Sequence, residues 1–535
     1  MADTPTAAPP LSLRFWQRTF EDVRELFAEG QGEEGGPEDP LPTKTYRGLP
    51  RHPLSAPARA IGDARWSFAG HRRAHPAGPP RRDTLDEPAV SALLHHAYGL
   101  ARIELGPHAV WPHHRTVASA RCFYPVELYL WTAAASPGLP AGCYHYDPAH
   151  HALTRLREGG IPETLRTATG TGTTAAPPHA LLVVAVHFRK AAFRYRDYAY
   201  RLCAQEAGMT VGNLLMAAGA LGLGARVHHR FDADVVHRAV GVDGDEEAAF
   251  AVVDLSARHP VGAPPADADD GDPLPALEPH HVRRNRTDSR LWAGLRALDR
   301  AARGEPVSSA PVDEEAFHVP APAGCPAPVP LDDAAAPAHV ELADALRARD
   351  SGGRMFLPQP CELPFDGMQL LLRHALEPVP SDHAPAALRP LVDCHVLVLG
   401  VAGLPAGLYR MDPSPALVAQ PAPDWPAVVS MLCERTPSVN AAKANAIVFL
   451  SVDRQAGERW FGARGYRVLH QEAGVVAQRI SVLAAAAGVS ARVTNGYDDA
   501  DVRTLTGADR DVVPVFTLVL GRRRPTAQYE PPLIW

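Results

Sequence analysis

At 535 residues, with 46% hydrophobic and 21% charged residues, the chain has the bulk of a soluble globular protein of two large domains. A net charge of −7 leaves no basic footprint for nucleic acid or an acidic membrane, and nowhere do about 18 apolar residues run together as a spanning helix needs. Seven cysteines without a CxxC pair exclude a disulfide framework and a thiolate zinc site, and MADTPTAAPP lacks the regions of a signal peptide, so a reducing cytoplasm is expected.

In chain order, residues 1–60 form an N-terminal extension with an amphipathic helix over 11–29, and 30–60 read as loose. A first domain is expected over 61–256. Its Thr84–Glu87 segment reads as a capping box opening a helix with Val90, Leu93, Leu94, Ala97 and Tyr98 on one face. Apolar runs at 126–133, 180–188 and 248–255 read as buried strands, with a long helix over 201–221. A Pro/Ala/Asp-rich linker follows over 257–340, with one helix near Arg290–Ala302 and otherwise little fold of its own. A second domain, 341–535, repeats the layout: a helix carrying Met368, Leu371, Leu372 and Ala375, strands at 394–401, 446–452 and 513–521, and a helix over 467–487. Alternating helices and strands give an α/β (α+β) fold class.

The two domains echo each other. GLPAGCYHYDP (138–148) answers GLPAGLYRMDP (403–413), with the Gly and Asp-Pro punctuation of a β-hairpin. QEAG occurs at 205–208 and 471–474, and FDADVVHRAVGVD (231–243) answers YDDADVRTLTGAD (497–509). Phrases in one order at an offset of 265 or 266 indicate a duplicated domain.

Several letter patterns fail on context. Gly170–Ala175 spells a dinucleotide fingerprint, but no strand precedes it and Pro177-Pro178 follow where a helix should run. ADADDGDP (266–273) lacks the terminal Glu of a calcium loop. The His pairs at 113–114, 150–151, 228–229 and 280–281 share no ligand spacing and read as surface or packed residues, so no metal site is expected.

Three stretches could carry chemistry. Arg349-Asp-Ser351-Gly-Gly-Arg354 sets two guanidiniums around a hydroxyl on a glycine turn, suited to a terminal phosphate, although arginine-rich turns are more often simply solvated; GRRR (521–524), with Arg522 and Arg523, could close on the same anion. Arg115–Pro125, with Ser119, Ala120 and Arg121, puts small residues before an aromatic-Pro pair, so that a flat ligand could approach the backbone; a plain loop is the alternative. Phe193–Arg201 gathers aromatics and arginines, where cations would lower a tyrosine pKa towards a useful base; an exposed stacked Arg/Tyr surface is the equal alternative.

Together these phrases resemble the nitroreductase superfamily, and within it the SagB-type azoline dehydrogenases of thiopeptide and linear azole-peptide pathways. RTVASARCFYPVELY (115–129) is similar to the family's R-x-x-SAGALYP-x-ELY segment, RYRDYAYRLCAQEAG to its KYGxRxYRxxxxxAG segment, and ALGLG (220–224) to its GLG turn. The resemblance implies two tandem nitroreductase-like domains in an intramolecular pseudo-dimer with FMN between them. The phosphate grip would be Arg349, Ser351, Arg354, Arg522 and Arg523, all of the second copy. The ring loop would be Ser119, Ala120 and Arg121 of the first copy, with Gly488 of the second beside the ring. The second copy's counterpart of the ring loop is PAALRP (385–390), and the first copy's counterpart of the phosphate turn is HRRAHPAG (71–78). One intact and one degenerate site are expected.

The implied reaction is oxidation of a thiazoline or oxazoline in a precursor peptide to the thiazole or oxazole. A base takes the ring Cα proton, a hydride passes to the flavin, and oxygen reoxidises it. The family's Lys-Tyr pair stands here as Arg194-Tyr195. Tyr195 is the expected base, Arg194 its pKa-lowering neighbour, and Lys190 a possible substitute amine. Azoline-containing peptide and a cyclodehydratase complex are the implied partners. An FMN oxidoreductase for a nitroaromatic or quinone, and a flavin-free scaffold subunit, are the rival readings.

Overall fold

The computed structural model of the chain describes residues 9–28, 40–57, 65–67, 82–105, 112–134, 136, 138–171, 177–259, 274–275, 277, 289–308, 310–317, 326–331, 339–353, 355–383, 390–412, 416–421 and 424–524. Arg354, the stretches 71–78 and 266–273, and 385–389 of PAALRP lie outside them.

Two seven-stranded sheets carry the fold. The first holds β1 (Arg51–Pro53), β2 (Val126–Thr132), β3 (Gly142–Asp147), β4 (Ala152–Glu158), β5 (Ala180–His187), β6 (Gly224–His228) and β7 (Glu247–Ser256), in the order β1-β4-β3-β2-β5-β7-β6. The second holds β8 (Val329–Pro330), β9 (Asp393–Val398), β10 (Gly407–Asp412), β11 (Ala416–Gln420), β12 (Ala446–Asp453), β13 (Ser490–Thr494) and β14 (Val512–Gly521), in the order β8-β11-β10-β9-β12-β14-β13. The orders superimpose, so the duplication read from the letters is structural. The echoed GLPAG phrases end in β3 and β10, each the middle strand of an antiparallel meander. β5 and β12 are buried on both faces, which is why they read as unbroken apolar runs rather than alternating ones.

The helices, in chain order, include α1 (Leu11–Phe20), α2 (Glu87–Tyr98), α3 (Ala199–Ala220), α4 (Ala233–Val240), α5 (Ala293–Gly304), α6 (Phe365–Ala375), α7 (Gly465–Ala486) and α8 (Asp499–Thr506). The FDADVV and YDDADV echoes are start-and-stop signals. Asp232 and Asp498 cap α4 and α8 with their carboxylates, and Gly241 and Gly507 end them in the left-handed conformation. The expected Thr84–Glu87 capping box is instead a single cap by Asp86, whose carboxylate accepts from the Ala89 amide.

α3 and α7 cross at the seam between the copies, and the QEAG echo makes the crossing possible. A Cβ on Gly208 would stand 2.6 Å from Gln471 Cα, and one on Gly474 would stand 2.9 Å from Gly208 Cα, distances no side chain tolerates. Because the backbones meet there, the copies share one apolar core that runs from Leu94 and Val211 to Leu371 and Val476. Arg65–Ser67 also pairs with His339–Glu341 across the seam.

Three looser expectations change. Residues 30–60 are not all loose: β1 adds an edge strand to the first sheet, and Lys44 is buried in an ion pair with Glu247 at 2.6 Å. The linker has its helix, α5, but also contributes β8 and residues 305–308 and 310–312, of which Glu305 and Val312 bond to the second copy. The apolar face of α1 is used inside the chain. Phe15 meets Tyr200 and Tyr466 edge-on, and Trp16 stacks on His470 with ring centroids 4.9 Å apart. α1 therefore clamps the α3–α7 crossing, and its aromatic face is not open to a partner.

Candidate functional site

The loop between the His113–Arg115 strand and β2 is tightly wound. Arg121, Cys122 and Tyr124 all hold positive φ, of 51°, 54° and 48°, a strained choice for residues with side chains. The surroundings enforce it. Ser119 Oγ accepts from the Tyr124 amide at 2.9 Å, Tyr124 Oη accepts from the Arg115 amide at 2.9 Å, and the Arg115 guanidinium lies over the rings of Tyr98 and Tyr124.

The Arg349–Gly353 turn of the second copy packs against this loop. Arg349 is buried, and its Nη2 donates to the Arg115 carbonyl at 3.0 Å, tying the two copies together. Its Nη1 reaches Ser351 Oγ at 3.3 Å. Asp350 accepts from Arg102 at 2.9 Å and Arg523 at 3.1 Å, and Arg492 donates to the Gly353 carbonyl at 2.6 Å. Two glycines at φ 81° and 69° let the turn close.

Between loop and turn lies a cavity of about 530 Å³, the size of a cofactor or small-ligand site. It is lined by residues 117–122 and Tyr124 of the first copy and by Arg349, Asp350, Ser351, Gly353 and 492–496 of the second. Arg102, Arg121, Arg349, Arg435 and Arg492 outnumber the carboxylates of Glu104, Glu206 and Asp350 in its lining, and Val117, Met209, Val439, Val493 and Phe516 supply apolar wall. Both copies are needed to build it.

The structure sorts the sequence-predicted residues. Ser119, Ala120, Arg121, Tyr195, Arg349 and Ser351 line the cavity. Arg523 stands behind it, on Asp350, while Arg522 is exposed and its carbonyl accepts from the Gln359 amide. Gly488 sits in the turn after α7 and is not among the lining residues; the second copy's wall there is 492–496. Arg194 is exposed and does not line the cavity. Lys190 is buried outside the cavity, with Nζ 2.6 Å from Glu127, so it supplies no amine there. The expected lowering of the Tyr195 pKa is reversed. Burial raises the hydroxyl above the usual tyrosine value, and Arg121 and Arg194 oppose this without overcoming it.

Glu206, which sequence reasoning passed over, is the titratable group of interest. It lies on α3, lines the cavity and is 3% exposed. Burial pushes its carboxyl up to about 7, against the hydrogen bonds of Ser119 and Tyr98; the Tyr98 hydroxyl donates at 2.7 Å. The letters QEAG mark it, but its neighbours come from residues about a hundred positions away. Val23 and Phe27 of the N-terminal extension also reach the cavity wall, a role nothing in their amphipathic pattern announces.

The pseudo-symmetric position is covered. Arg464, counterpart of Tyr198, donates to the linker carbonyls of Glu305 and Pro306, and Arg230 donates to those of Ser308 and Ala310. The Val312 amide donates to the His383 carbonyl at 2.8 Å. Linker backbone thus lies where an open wall stands in the first site.

A nitroreductase family model matches residues 81–253 and 347–522, one region per copy. The chain is 29% identical over 133 residues to the microcin B17-processing protein McbC of Escherichia coli, covering 24% of this chain and 49% of that protein. It is 28% identical over 110 residues to the "Putative nitroreductase MJ1384" of Methanocaldococcus jannaschii, covering 21% of this chain and 55% of that protein. The chain thus spans about half the length of these relatives. A protein of like description from Anabaena variabilis has a crystal structure matching 97% of this chain and all of its own, at TM-score 0.70 and 20% identity, which shows the shared fold. With both copies matched, over more than half of its residues, the chain belongs to the nitroreductase family.

Proposed function

We propose that the chain is an FMN-dependent oxidoreductase that converts azolines of a precursor peptide to azoles. The observation that carries this is the cavity built jointly by the first copy's strained 117–124 loop and the second copy's arginine turn. Its donor set suits a flavin phosphate and ring. The cavity gathers five guanidiniums, Arg349 Nε has no hydrogen-bond partner among the described residues, and Ser119 and Ala120 line the wall on which a planar group would lie. Bound FMN supplies the two-electron oxidation. The microcin-processing relative supports a peptide as substrate, and we propose a cyclodehydratase complex as the partner.

In this reading the protein positions the ring Cα–H and removes its proton. Glu206, balanced near neutrality inside the cavity, accepts it. Tyr195, held protonated by burial, donates a hydrogen bond that orients the substrate. Tyr195→Phe is therefore expected to keep FMN bound and lower turnover up to about tenfold, the worth of one hydrogen bond, without moving the pH profile. A shifted profile would return the proton to Tyr195.

The test is a visible spectrum of purified protein followed by anaerobic mixing with an azoline peptide. A flavin band that bleaches with peptide supports the reading. Bleaching only with NAD(P)H places the chain with small-molecule reductases, and protein that neither carries nor binds FMN overturns both.

A further inference from the structure

The covered position holds a second constellation. His229 of the first copy and His383 and Glu472 of the second each offer a ligand atom, all within 4.8 Å of one another. All three side chains are at most 2% exposed. By the internal repeat they are the counterparts of Asn495, Ala118 and Glu206, three residues that line the open cavity. The duplicated position has therefore kept its carboxylate and gained two imidazoles.

We propose that His229, His383 and Glu472 bind one divalent transition-metal ion of the zinc type, which cross-links the two copies beneath the linker. His383 Nε2 and Glu472 Oε1 are 3.6 Å apart, and tetrahedral zinc at ordinary bond lengths sets its ligand atoms about 3.4 Å apart. Too long for a hydrogen bond, that spacing leaves Glu472 Oε1 without a partner among the described residues, and His229 Nδ1 is likewise without one. Such buried orphans are costly unless something satisfies them. Asp382 stands at the other nitrogen of the His383 ring, its Oδ1 3.6 Å from Nδ1, an ion-pair separation rather than a hydrogen bond, and Ser381 Oγ lies 3.4 Å from Nε2. The same carboxylate accepts the backbone amides of His229 and Arg230, at 3.1 and 2.9 Å, so one residue positions both histidines. The Arg467 guanidinium near His229 is itself paired with Asp299 at 3.7 Å. Two imidazoles and a carboxylate are a ligand set for zinc and its neighbours, not for calcium or magnesium. Three protein ligands leave a fourth position for water, and because the ligands come from both copies the ion would tie them together beside the linker, whose Val312 amide donates to the His383 carbonyl.

The test is metal analysis of the full-length protein purified without chelator, with thermal melting before and after chelation. About one zinc-type ion per chain is expected, with a Tm that falls on chelation and returns with Zn²⁺. Co²⁺ added to the stripped protein should give the visible bands of a tetrahedral site. His383→Ala should lose the ion and Asp382→Asn should weaken it about 10- to 100-fold, while both keep the flavin band. If a variant does not fold, the wild-type chelation and Co²⁺ measurements decide. Protein that carries no ion and binds neither Zn²⁺ nor Co²⁺ stoichiometrically overturns the proposal, as does full metal retention by folded His383→Ala.

Discussion

In the proposed reaction, Glu206→Gln is expected to lower azoline turnover by about 10² to 10⁴-fold without weakening FMN binding, because the amide keeps the shape and hydrogen-bond acceptor but cannot take a proton. In the wild type, turnover should fall as pH drops through about 7, where the Glu206 carboxylate becomes protonated. Stability gives an independent readout with the opposite sign. The folded-state pKa is raised from 4.5 to about 7, so the native state holds a proton the unfolded state has released, and between those values stability falls as pH rises. Above pH 7 this costs roughly 3 kcal/mol, which Glu206→Gln should largely recover. Lost activity with raised Tm at pH 8 is the signature of a buried base. Unchanged turnover would remove Glu206 from the chemistry.

The second large effect belongs to the α3–α7 crossing. Gly208→Ala places a methyl group inside the contact distance of the Gln471 backbone, and a helix backbone cannot yield as a flexible side chain can. A loss of about 3 kcal/mol or more is expected, with loss of flavin, because the cavity needs both copies held in place. Gly474→Ala should behave alike. Gly219→Ala, on the same helix with nothing within 4 Å of the new Cβ, should instead be neutral or stabilise by up to about 1 kcal/mol. Thermal melting and flavin retention of the three variants check this. Equal Tm for Gly208→Ala and Gly219→Ala would mean the helices do not meet as described.

The echo between QEAG segments was visible as letters, but its purpose was not. Identical glycines at 208 and 474 could have served any helix, and only their contact across the seam explains them. Likewise the ring loop and arginine turn were legible as motifs of different copies, and the shared cavity is where they meet. Their individual side chains were less legible. Arg349 looked like a phosphate ligand, yet two of its nitrogens are engaged by Ser351 and by carbonyls of the loop opposite. Tyr195 had cationic neighbours in sequence, but burial outweighs them.

What the sequence alone determined is local and periodic: β5 and β12 as unbroken apolar runs, and a repeat that keeps its order, including the FDADVV and YDDADV echo whose Asp232, Asp498, Gly241 and Gly507 bound helices in the structure. Such patterns are set by backbone geometry within a few residues, so a linear chain displays them. Tertiary structure decided which copy keeps an open site, that Glu206 titrates near neutrality, and that His229 meets His383 and Glu472. Those outcomes depend on burial and on distances between residues 87 to 243 positions apart, and desolvation and close approach come into being only when the chain packs.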